Sequence, residues 1–578
     1  MFDPAAVRTW ISHDVEPHYQ EELTDLLQKA ESGDADAAAE LDDRFSGPIQ
    51  FGTAGLRGTM GAGEHRMNRS VVRAAAYGLA SYVKEKVGDE ALIVIGNDAR
   101  YHSREFALDS ARIVSALGLR AMIMPRDLPT PVLAFAVRYL NADAGVMVTA
   151  SHNPAHDNGY KVYLGGRMTG EWDRGSQLVP PVDAEISQRI ASAPFADDIP
   201  LAEGYQTVPE SVIDAYVDRC VSLVPDSVPR TLKIVYTPMH GVGQQIASRV
   251  FTGAGFTDVT TVAEQENPDP DFPTVPFPNP EEKGALDMAQ ALAAKIGADI
   301  VLATDPDADR CAVAVPFGSD GAFRQLTGDE TGIVLGEYIA SHAAELSTRD
   351  HGLDVSNHEP NASDQTMALA SSLVSSRMLG RIAATHHLDF HQTLTGFKWI
   401  SRVPHLLFGY EEAIGMCVDP QAVHDKDGIS ACVMIALVAA TLKQQGRTLS
   451  DALHDIYARE GVYMTAPVTI RVDDLSIIGQ TMDHVRTDPP RTLAGSPVQL
   501  IRDYAHGVEG FPPTDAVEWR TEANDRVIIR PSGTEPKVKC YLEVALPVND
   551  PASVDTTIDT AAKRLDLFQD DVRAALQI

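Results

Sequence analysis

The chain is short of cysteine, of positive charge and of long apolar runs. Its 5 cysteines are scattered and form no CxxC pair, which argues against a disulfide framework or a cysteine-based zinc site and is typical of reduced cytosolic thiols. Only 48 Lys and Arg stand against 81 Asp and Glu, a formal net charge of -33. Such an excess disfavours nucleic acid or an anionic membrane as partner. An anionic ligand would therefore need a local basic pocket.

Two further absences concern targeting and membranes. The longest apolar stretch, around Ile429 to Leu442, is too short to span a bilayer and predicts a buried helix. The N-terminus, Met1-Phe2-Asp3-Pro4, lacks the basic and apolar regions of a signal peptide. We therefore expect a soluble, cytoplasmic protein.

What the chain does contain is an alternation of strand-like and helix-like segments. Its 578 residues suggest about four domains. Residues 1 to 46 are predicted to form a helical extension, and the six prolines between Asn267 and Glu282 predict an extended loop. The alternating residues Met464 to Val472 and the helix-like segment Ala561 to Leu576 predict a C-terminal α+β domain. Between the extension and that domain, short aliphatic runs followed by Gly-, Asp- or Pro-bearing loops predict βα units: Ala91–Ile95, Ala144–Val148, Lys233–Tyr236 and Asp299–Ala303.

A serine follows one of these predicted strands. Thr149-Ala150-Ser151-His152-Asn153-Pro154 comes directly after the apolar run that ends at Val148, and open α/β sheets place their ligands at such strand ends. The flanking glycines of a G-x-S-x-G elbow are missing, which weakens a serine-hydrolase interpretation. His152 can donate to a phosphate and Lys161 can balance its charge, but a lone turn serine is more often structural.

Three carboxylates follow another predicted strand. Asp305, Asp307 and Asp309 alternate along the chain, as in an EF-hand loop, but that motif would need glycine where Arg310 stands and glutamate where Pro316 stands. A solvated acidic turn is the alternative. The apolar runs on both sides favour a strand-loop-strand that presents oxygen ligands to Mg²⁺, and a cation beside a serine suggests phosphoryl chemistry.

Two more segments suit phosphate. Arg530, Ser532, Thr534 and Lys537 lie within eight residues and, with the turn amides at Gly533, make a predicted phosphate cradle; a plain surface turn is the alternative. The glycine-rich segment 51–61 carries Arg57 and suits close backbone approach to a ligand. That segment lacks the Walker lysine and a proper G-x-G-x-x-G, so a nucleotide site is not supported.

Two loops suit a sugar. Glu411 and Glu412 follow an apolar run and can hydrogen-bond vicinal hydroxyls, although acidic residues at a helix N-terminus would give the same pattern. Lys398 lies between Phe397 and Trp399, where desolvation would lower its pKa toward an acid/base role. A structural lysine with a buried stem is the alternative.

Taken together, these motifs closely resemble the α-D-phosphohexomutase superfamily, the phosphoglucomutase and phosphomannomutase enzymes. The match runs from about Phe51 to Leu546 and rests on three loops in order: the serine loop, the Asp-Pro-Asp-Ala-Asp-Arg loop and Arg530-Pro-Ser-Gly-Thr. The resemblance implies three similar mixed α/β domains plus a C-terminal α+β domain around a central cleft. The expected boundaries are 1–205 for the helical extension and phosphoserine domain, 206–323 for the metal-binding domain, 324–458 for the sugar-binding domain and 459–578 for the phosphate-binding domain.

The resemblance also implies a role for each site residue. Phosphorylated Ser151 would donate its phosphoryl group to a hexose phosphate and recover the other phosphate from the bisphosphorylated sugar. Mg²⁺ would be held by Ser151, Asp305, Asp307 and Asp309. Lys398 matches the acid/base lysine of the family. Arg57, His152 and Lys161 match residues around the reacting phosphate, and Arg310 matches a residue beside the metal loop. Arg530, Ser532, Gly533 and Thr534 match the loop for the other phosphate, and Lys537 completes the predicted cradle.

The implied activity is that of a phosphoglucomutase, which interconverts glucose 1-phosphate and glucose 6-phosphate with glucose 1,6-bisphosphate as intermediate and activator. The sugar loop departs from the common Gly-Glu-Met-Ser-Gly form and reads Gly409-Tyr-Glu-Glu-Ala-Ile-Gly415. It is similar to a longer branch that includes phosphopentomutases and glucose-1,6-bisphosphate synthases. Phosphomannomutase and phosphopentomutase activities therefore remain alternatives, as do a metal-dependent sugar phosphatase and a non-catalytic sugar-phosphate-binding protein. The sugar, its glutamate contact and the oligomeric state stay open.

Overall fold

The structure, a computed structural model, describes residues 2–53, 55–317, 321–346, 366–472, 476–532 and 537–577. The described chain divides into two compact units. Residues up to 325 and the later segment 415–440 make up the first unit. The second unit comprises the described residues of 326–414 and those from 441 onward.

The N-terminal extension is helical, as predicted. Its helices are α1 (Pro4–His13), α2 (Pro17–Glu31) and α3 (Ala35–Arg44). The side chain of Asp3 caps α1 and that of Asp34 caps α3 by accepting free amides of the first turn. Their apolar faces bury Val7, Leu23 and Leu41 in a small core of their own.

The first sheet positions the predicted serine loop. Strand β4 runs parallel to β2 and antiparallel to β5 in the order β1-β5-β4-β2-β3-β7, with β6 paired to β5. All five residues of β4 are buried, which explains its unbroken apolar sequence. The elements are β1 (Leu56–Thr59), α4 (Arg69–Val87), β2 (Leu92–Asn97), α5 (Ser103–Ala116), β3 (Arg120–Ile123), α6 (Thr130–Tyr139), β4 (Ala144–Val148), β5 (Asp157–Leu164), β6 (Ser176–Gln177), α7 (Val182–Ala191), β7 (Gln206–Thr207) and α8 (Glu210–Ser222).

The second sheet positions the three aspartates. Its order is β12-β11-β10-β8-β9, and β10 pairs parallel to β8 and antiparallel to β11. The aspartate loop joins β10 to β11, which confirms the predicted strand-loop-strand. Residues 267–282 form neither helix nor strand, as their prolines predict. The elements are β8 (Ile234–Thr237), α9 (Gly243–Gly253), β9 (Val259–Thr261), α10 (Asp287–Ile296), β10 (Ile300–Thr304), β11 (Cys311–Phe317) and β12 (Ala322–Gln325).

A third set of elements carries the predicted sugar loop. Strand β13 pairs parallel to β14 and to β15. The elements are α11 (Gly328–Ser341), α12 (Ala343–Leu346), β13 (Ala368–Ser372), α13 (Met378–Thr385), β14 (Asp389–Thr393), α14 (Phe397–Ile400), β15 (Leu406–Glu411), β16 (Gly415–Cys417), α15 (Gly428–Gln444) and α16 (Leu449–Glu460).

The apolar run from Ile429 is buried along α15, as predicted. Within the described ranges, no single helix has the length and apolar character needed to cross a membrane. Helices α15 and α16, bent by 87° at their junction, meet that test only as a pair.

The C-terminal part is an antiparallel sheet with helices, which confirms the predicted α+β class. Its strands follow the order β17-β22-β21-β20-β19-β18. The predicted phosphate loop connects β21 to β22. The elements are β17 (Val462–Arg471), α17 (Ser476–Thr487), β18 (Thr492–Leu493), β19 (Ser496–Asp503), β20 (Val517–Thr521), β21 (Arg526–Pro531), β22 (Lys537–Leu546) and α18 (Val554–Ala575).

Candidate functional site

Ser151 lies in a tight turn at the carboxyl end of β4. Its φ of 52° is in the left-handed region, which is uncommon for a residue with a side chain and recurs at functional sites. The Ser151 amide donates to Thr149 Oγ1 (2.8 Å), and the Ser151 hydroxyl donates to Asp305 Oδ2 (2.9 Å). The serine loop and the aspartate loop, 154 residues apart in sequence, are therefore in direct contact.

The three aspartates form one buried cluster. Their side-chain oxygens lie within 4.8 Å of one another, and all three residues are 0% exposed. Ala308, with a φ of 57°, makes the turn between the second and third aspartate. A solvated acidic turn, the alternative from sequence, is wrong because all three aspartates are buried.

Positive charge balances this cluster. Lys161, on β5, donates to Asp307 Oδ2 (2.7 Å) and to Asp309 Oδ2 (2.8 Å). Burial opposes ionisation of Asp309, but Lys161, Lys426 and Arg310 outweigh it and hold the pKa of Asp309 well below its usual range. Burial and the two neighbouring carboxylates raise the pKa of Asp305 well above its usual range. A third negative charge in this cluster therefore requires a further positive charge nearby.

The donor set fits a hard divalent cation. Among the described residues, Oδ1 of Asp307 and Oδ1 of Asp309 are buried and accept no hydrogen bond, although buried acceptors are normally satisfied. Carboxylate oxygens are the ligands that Mg²⁺ prefers. Asp305, Asp307 and Asp309 are therefore suited to hold such an ion beside the Ser151 hydroxyl.

Arg57, His152 and Arg310 surround the same turn. Arg57, on β1, donates to Asn153 Oδ1 (3.2 Å), and the Ser151 Oγ lies 3.2 Å from His152 Nδ1. Burial lowers the pKa of His152 well below its usual value, and Arg310 and Arg57 lower it further. Arg310 lies within 3.9 Å of the Asp305 and Asp309 carboxylates and 3.5 Å from Glu281. The predicted residues for a reacting phosphate are thus together.

Sequence reasoning missed two contacts of the cluster. Thr130, which begins α6, donates to Asp307 Oδ2 (2.6 Å), and the Lys426 ammonium group lies 3.2 Å from Asp309 Oδ2. Gly428 packs so closely that a Cβ there would lie 2.2 Å from the Arg310 carbonyl oxygen. Neither contact has a local signal, because each joins segments more than 100 residues apart in sequence.

The two predicted sugar glutamates have different environments in the second unit. Glu411 Oε1 accepts the Gly396 amide (2.7 Å), and Gly396 has a φ of 112° that favours glycine. Glu412 Oε2 accepts the hydroxyls of Ser372 (3.0 Å) and Ser375 (2.9 Å). Burial raises the pKa of Glu412, and the nearby Asp329 raises it further. The helix N-terminus proposed as an alternative is wrong, because Glu411 ends β15.

The predicted phosphate loop contacts the segment that carries Lys398. Arg530 Nη1 donates to Thr395 Oγ1 (2.6 Å), three residues before Lys398 at the start of α14. Ser532 donates its amide to the Lys537 carbonyl (2.8 Å), which brings the two ends of the loop together. Gly533 and Thr534 lie outside the described residues.

Comparison with known proteins gives matches along the whole chain. The phosphoglucomutase/phosphomannomutase alpha/beta/alpha domains I, II and III match residues 48–197, 214–318 and 327–459, and the C-terminal domain of that family matches 485–552. The boundaries expected from sequence at 205, 323 and 458 stay predictions.

Three relatives illustrate the range of names within these matches. A probable phosphomannomutase of Haemophilus influenzae is 42% identical over 85% of this chain and 95% of its own. A phosphoribomutase of Saccharomyces cerevisiae is 34% identical over 98% and 96%, and a phosphoglucomutase of Staphylococcus haemolyticus is 33% identical over 86% and 91%. Family, fold and enzyme class agree with the resemblance seen in the sequence. The chain belongs to the phosphoglucomutase/phosphomannomutase family of the α-D-phosphohexomutase superfamily and is an enzyme of the mutase type.

Proposed function

We propose that this enzyme is a magnesium-dependent phosphoglucomutase that interconverts glucose 1-phosphate and glucose 6-phosphate. The observation that carries the proposal is the contact between the Ser151 hydroxyl and Asp305 inside a buried, lysine-paired carboxylate cluster. A cation held by Asp305, Asp307 and Asp309 would neutralise the charge of a phosphoryl group carried on Ser151. The buried Lys161 and the half-buried Arg57 and Arg310 would do the same from the protein side.

The proposed reaction has two phosphoryl transfers and no net loss of phosphate. The O6 hydroxyl of glucose 1-phosphate attacks the phosphorus of phosphoserine 151 and passes its proton to Lys398. An O6–P bond forms as the P–Oγ bond breaks, and the bonding electrons of the broken bond stay on Ser151 Oγ. The resulting glucose 1,6-bisphosphate reorients. Ser151 Oγ then attacks the phosphorus on O1, the O1–P bond breaks, and Lys398 returns the proton to O1. Glucose 6-phosphate leaves and the phosphoserine is restored.

The second phosphate of the substrate needs its own site. We assign it to Arg530, Ser532, Gly533, Thr534 and Lys537. The support is chemical: an arginine, hydroxyls, turn amides and a lysine share one loop in a chain with a net charge of -33, and the contact from Arg530 to Thr395 links that loop to the Lys398 segment. Without such a site the bisphosphate intermediate would be lost to solvent.

Of the two sugar-loop glutamates, we assign the hydroxyl contact to Glu411. Glu412 already accepts two serine hydroxyls, and its amide is bonded to Ser375 Oγ (3.0 Å). These contacts tie Glu412 to Ser372 and Ser375 and so fix the loop. Glu411 stands at the end of β15 with its Oε1 bonded to the amide of the Lys398 segment. This arrangement suits a contact to the sugar ring near the acid/base lysine.

Mannose 1-phosphate and ribose 1-phosphate are the alternative substrates. Relatives named probable phosphomannomutase and phosphoribomutase, at 42% and 34% identity, are the reason to test them. All three reactions would use the same serine and cation, so these groups do not distinguish one sugar substrate from another. A sugar phosphatase would need neither the second phosphate loop nor a bisphosphate activator.

The deciding experiment measures turnover of glucose, mannose, ribose and deoxyribose 1-phosphates, with and without catalytic glucose 1,6-bisphosphate. We expect glucose 1-phosphate to have the highest kcat/KM and the bisphosphate to activate. Equal or faster turnover of mannose or ribose phosphate would reject the glucose assignment, and release of free phosphate in place of the isomer would favour a phosphatase.

The carrier role of Ser151 has a matched test. Ser151→Ala should reduce turnover by at least about 10³-fold, because the group that forms the covalent intermediate is gone. The bisphosphate should also fail to add phosphate mass to the variant. Ser110→Ala is the control, since Ser110 is a buried serine on α5 bonded to Phe106. Substantial turnover by the alanine variant would exclude Ser151 as carrier.

A further inference from the structure

Arg100 follows β2 and holds the turn that carries Ser151. Its side chain is 1% exposed. Nη1 donates to the carbonyls of Pro154 (2.7 Å) and Asp157 (3.0 Å), and Nη2 donates to those of Ser151 (2.7 Å) and Asn153 (2.5 Å). One guanidinium group thus ties together four main-chain carbonyls of residues 149–158, the serine turn.

The guanidinium group is itself held on two sides. Asp98 Oδ1 accepts the Arg100 amide (3.1 Å) and the Ser103 hydroxyl (2.7 Å), and its other carboxylate oxygen lies 3.6 Å from Arg100 Nε. The ring of Phe272 lies 5.0 Å from the guanidinium carbon, which is cation–π distance. Arg100 is therefore fixed before any substrate binds.

The serine turn needs such a clamp because of its own geometry. Buried carbonyls require donors, and the left-handed backbone of Ser151 persists only when its surroundings hold it. Arginine has two terminal nitrogens in a rigid fork, whereas lysine has one nitrogen that cannot reach both sides of the turn. Both terminal nitrogens of Arg100 are already bonded to carbonyls of the turn.

We propose that Arg100 is a positioning residue that sets the serine turn, so that the Ser151 hydroxyl faces Asp305. Its effect on turnover rests on the proposed phosphoryl transfer, while its effect on the turn does not. The proposal predicts that loss of the guanidinium group, with its two terminal nitrogens, slows phosphoryl transfer and leaves substrate affinity unchanged.

The test compares Arg100→Lys with Arg104→Lys. Arg104 is the matched control because it donates to Asn97 Oδ1 (3.3 Å) and to the Met124 carbonyl (3.0 Å), which lie outside the serine turn. Hydrogen exchange of peptides covering 149–158 is measured alongside kcat and KM. We expect at least about tenfold faster exchange in the turn for Arg100→Lys, and a kcat lower by about 10- to 100-fold with KM within about twofold. Arg104→Lys should leave all three unchanged.

Several outcomes would overturn the proposal. One is that the serine turn of Arg100→Lys exchanges hydrogen at the same rate as the turn of the wild-type protein. Another is that exchange becomes faster to the same extent across the whole first sheet, since Arg100 would then have a general structural role. If wild-type protein turns over no sugar phosphate, the proposed function fails. The comparison of hydrogen exchange rates still tests whether Arg100 holds the serine turn. Should Arg100→Lys not fold, Asp98→Asn removes the charge beside Nε, and the same local change, smaller in size, is expected; unchanged exchange there rejects the proposal.

Discussion

The aspartate cluster of the first unit and Glu412 of the second unit differ in the groups that hold their carboxylates. In the first unit, Asp307 and Asp309 pair with the ammonium group of Lys161, so they stay ionised although they are buried. In the second unit, Glu412 is held by serine hydroxyls, and its pKa is raised. Charged partners thus preserve negative charge in the interior, whereas neutral donors do not fully compensate for burial.

This difference separates two kinds of chemistry. Carboxylates that keep their charge can attract a divalent cation, and that cation would in turn attract a phosphoryl group. A carboxylate held by hydroxyls is suited to fix a loop or to recognise hydroxyls. The following changes test that separation.

Asp309→Asn should have the largest effect. It removes one proposed cation ligand and leaves Lys161 and Lys426 with less negative charge, so we expect turnover to fall at least about 10³-fold, equivalent to about 4 kcal/mol of transition-state stabilisation. Turnover against Mg²⁺ concentration and Mg²⁺ binding by calorimetry measure the loss. Asp109→Asn is the control, because Asp109 on α5 is buried and paired with Arg69 and Arg73 on α4. This variant should have a lower Tm but retain turnover. Near-normal turnover of the Asp309 variant would contradict the assigned role of the cluster.

The second prediction concerns Asp427. Like Glu412, it accepts hydrogen bonds from uncharged donors. Asp427 accepts the Tyr216 hydroxyl (2.8 Å) and the amides of Ile429 and Ser430 (both 3.0 Å). Burial raises its pKa from 3.8 to about 6. Because the folded state binds this proton more tightly than the unfolded state, the stability it contributes is complete below about pH 4 and is lost as pH rises through 6.

Asp427→Asn should abolish that pH dependence. Relative to wild type, the free energy of unfolding of the variant should rise by about 3 kcal/mol between pH 4 and pH 7, the equivalent of a shift of about two pKa units. Urea denaturation at several pH values measures it. Asp143→Asn should behave in the opposite way. Burial raises the pKa of Asp143, but Arg167 outweighs burial and lowers that pKa overall, so the stability that Asp143 contributes is present above the unfolded pKa. Parallel pH profiles for Asp427→Asn and wild type would refute the assignment.

Glu411→Gln should have the smallest effect of the three substitutions. It should weaken only the recognition of the sugar. Losing one charged hydrogen bond to a hydroxyl should lower kcat/KM by about 10- to 100-fold, or about 2 kcal/mol. Phosphorylation of Ser151, read by intact mass, should still occur. Glu412→Gln is the comparison, and its main effect should be on Tm. If the two variants exchange these effects, Glu412 is the sugar contact.

Much of the first site was predictable from sequence because it sits at strand ends. An unbroken apolar run before Ser151 and another before Asp305 place both loops at carboxyl ends of buried strands. The phosphate loop was predictable for a different reason, since its basic and hydroxyl residues are clustered in an acidic chain. The resemblance to the family then assigned each loop a role in a single reaction.

The remaining features were not predictable because they depend on contacts between distant segments. Arg100 and Thr130 look like ordinary loop residues until the fold brings them against the serine turn and Asp307. The different roles of Glu411 and Glu412 depend on Ser372, Ser375 and Gly396, all at least 15 residues earlier in the sequence. Pattern and composition record none of these pairings.

The segment 415–440 has a consequence for how the chain can be divided. It lies within the matched third family domain, 327–459, yet it belongs to the first compact unit, where Gly428 packs on the backbone of Arg310 and Lys426 approaches Asp309. A fragment that ends at residue 325 would expose the face of the aspartate loop that this segment covers. The family domains and the compact units therefore have different bounds here, and recombining whole family domains between relatives would separate the aspartate cluster from one of its lysines.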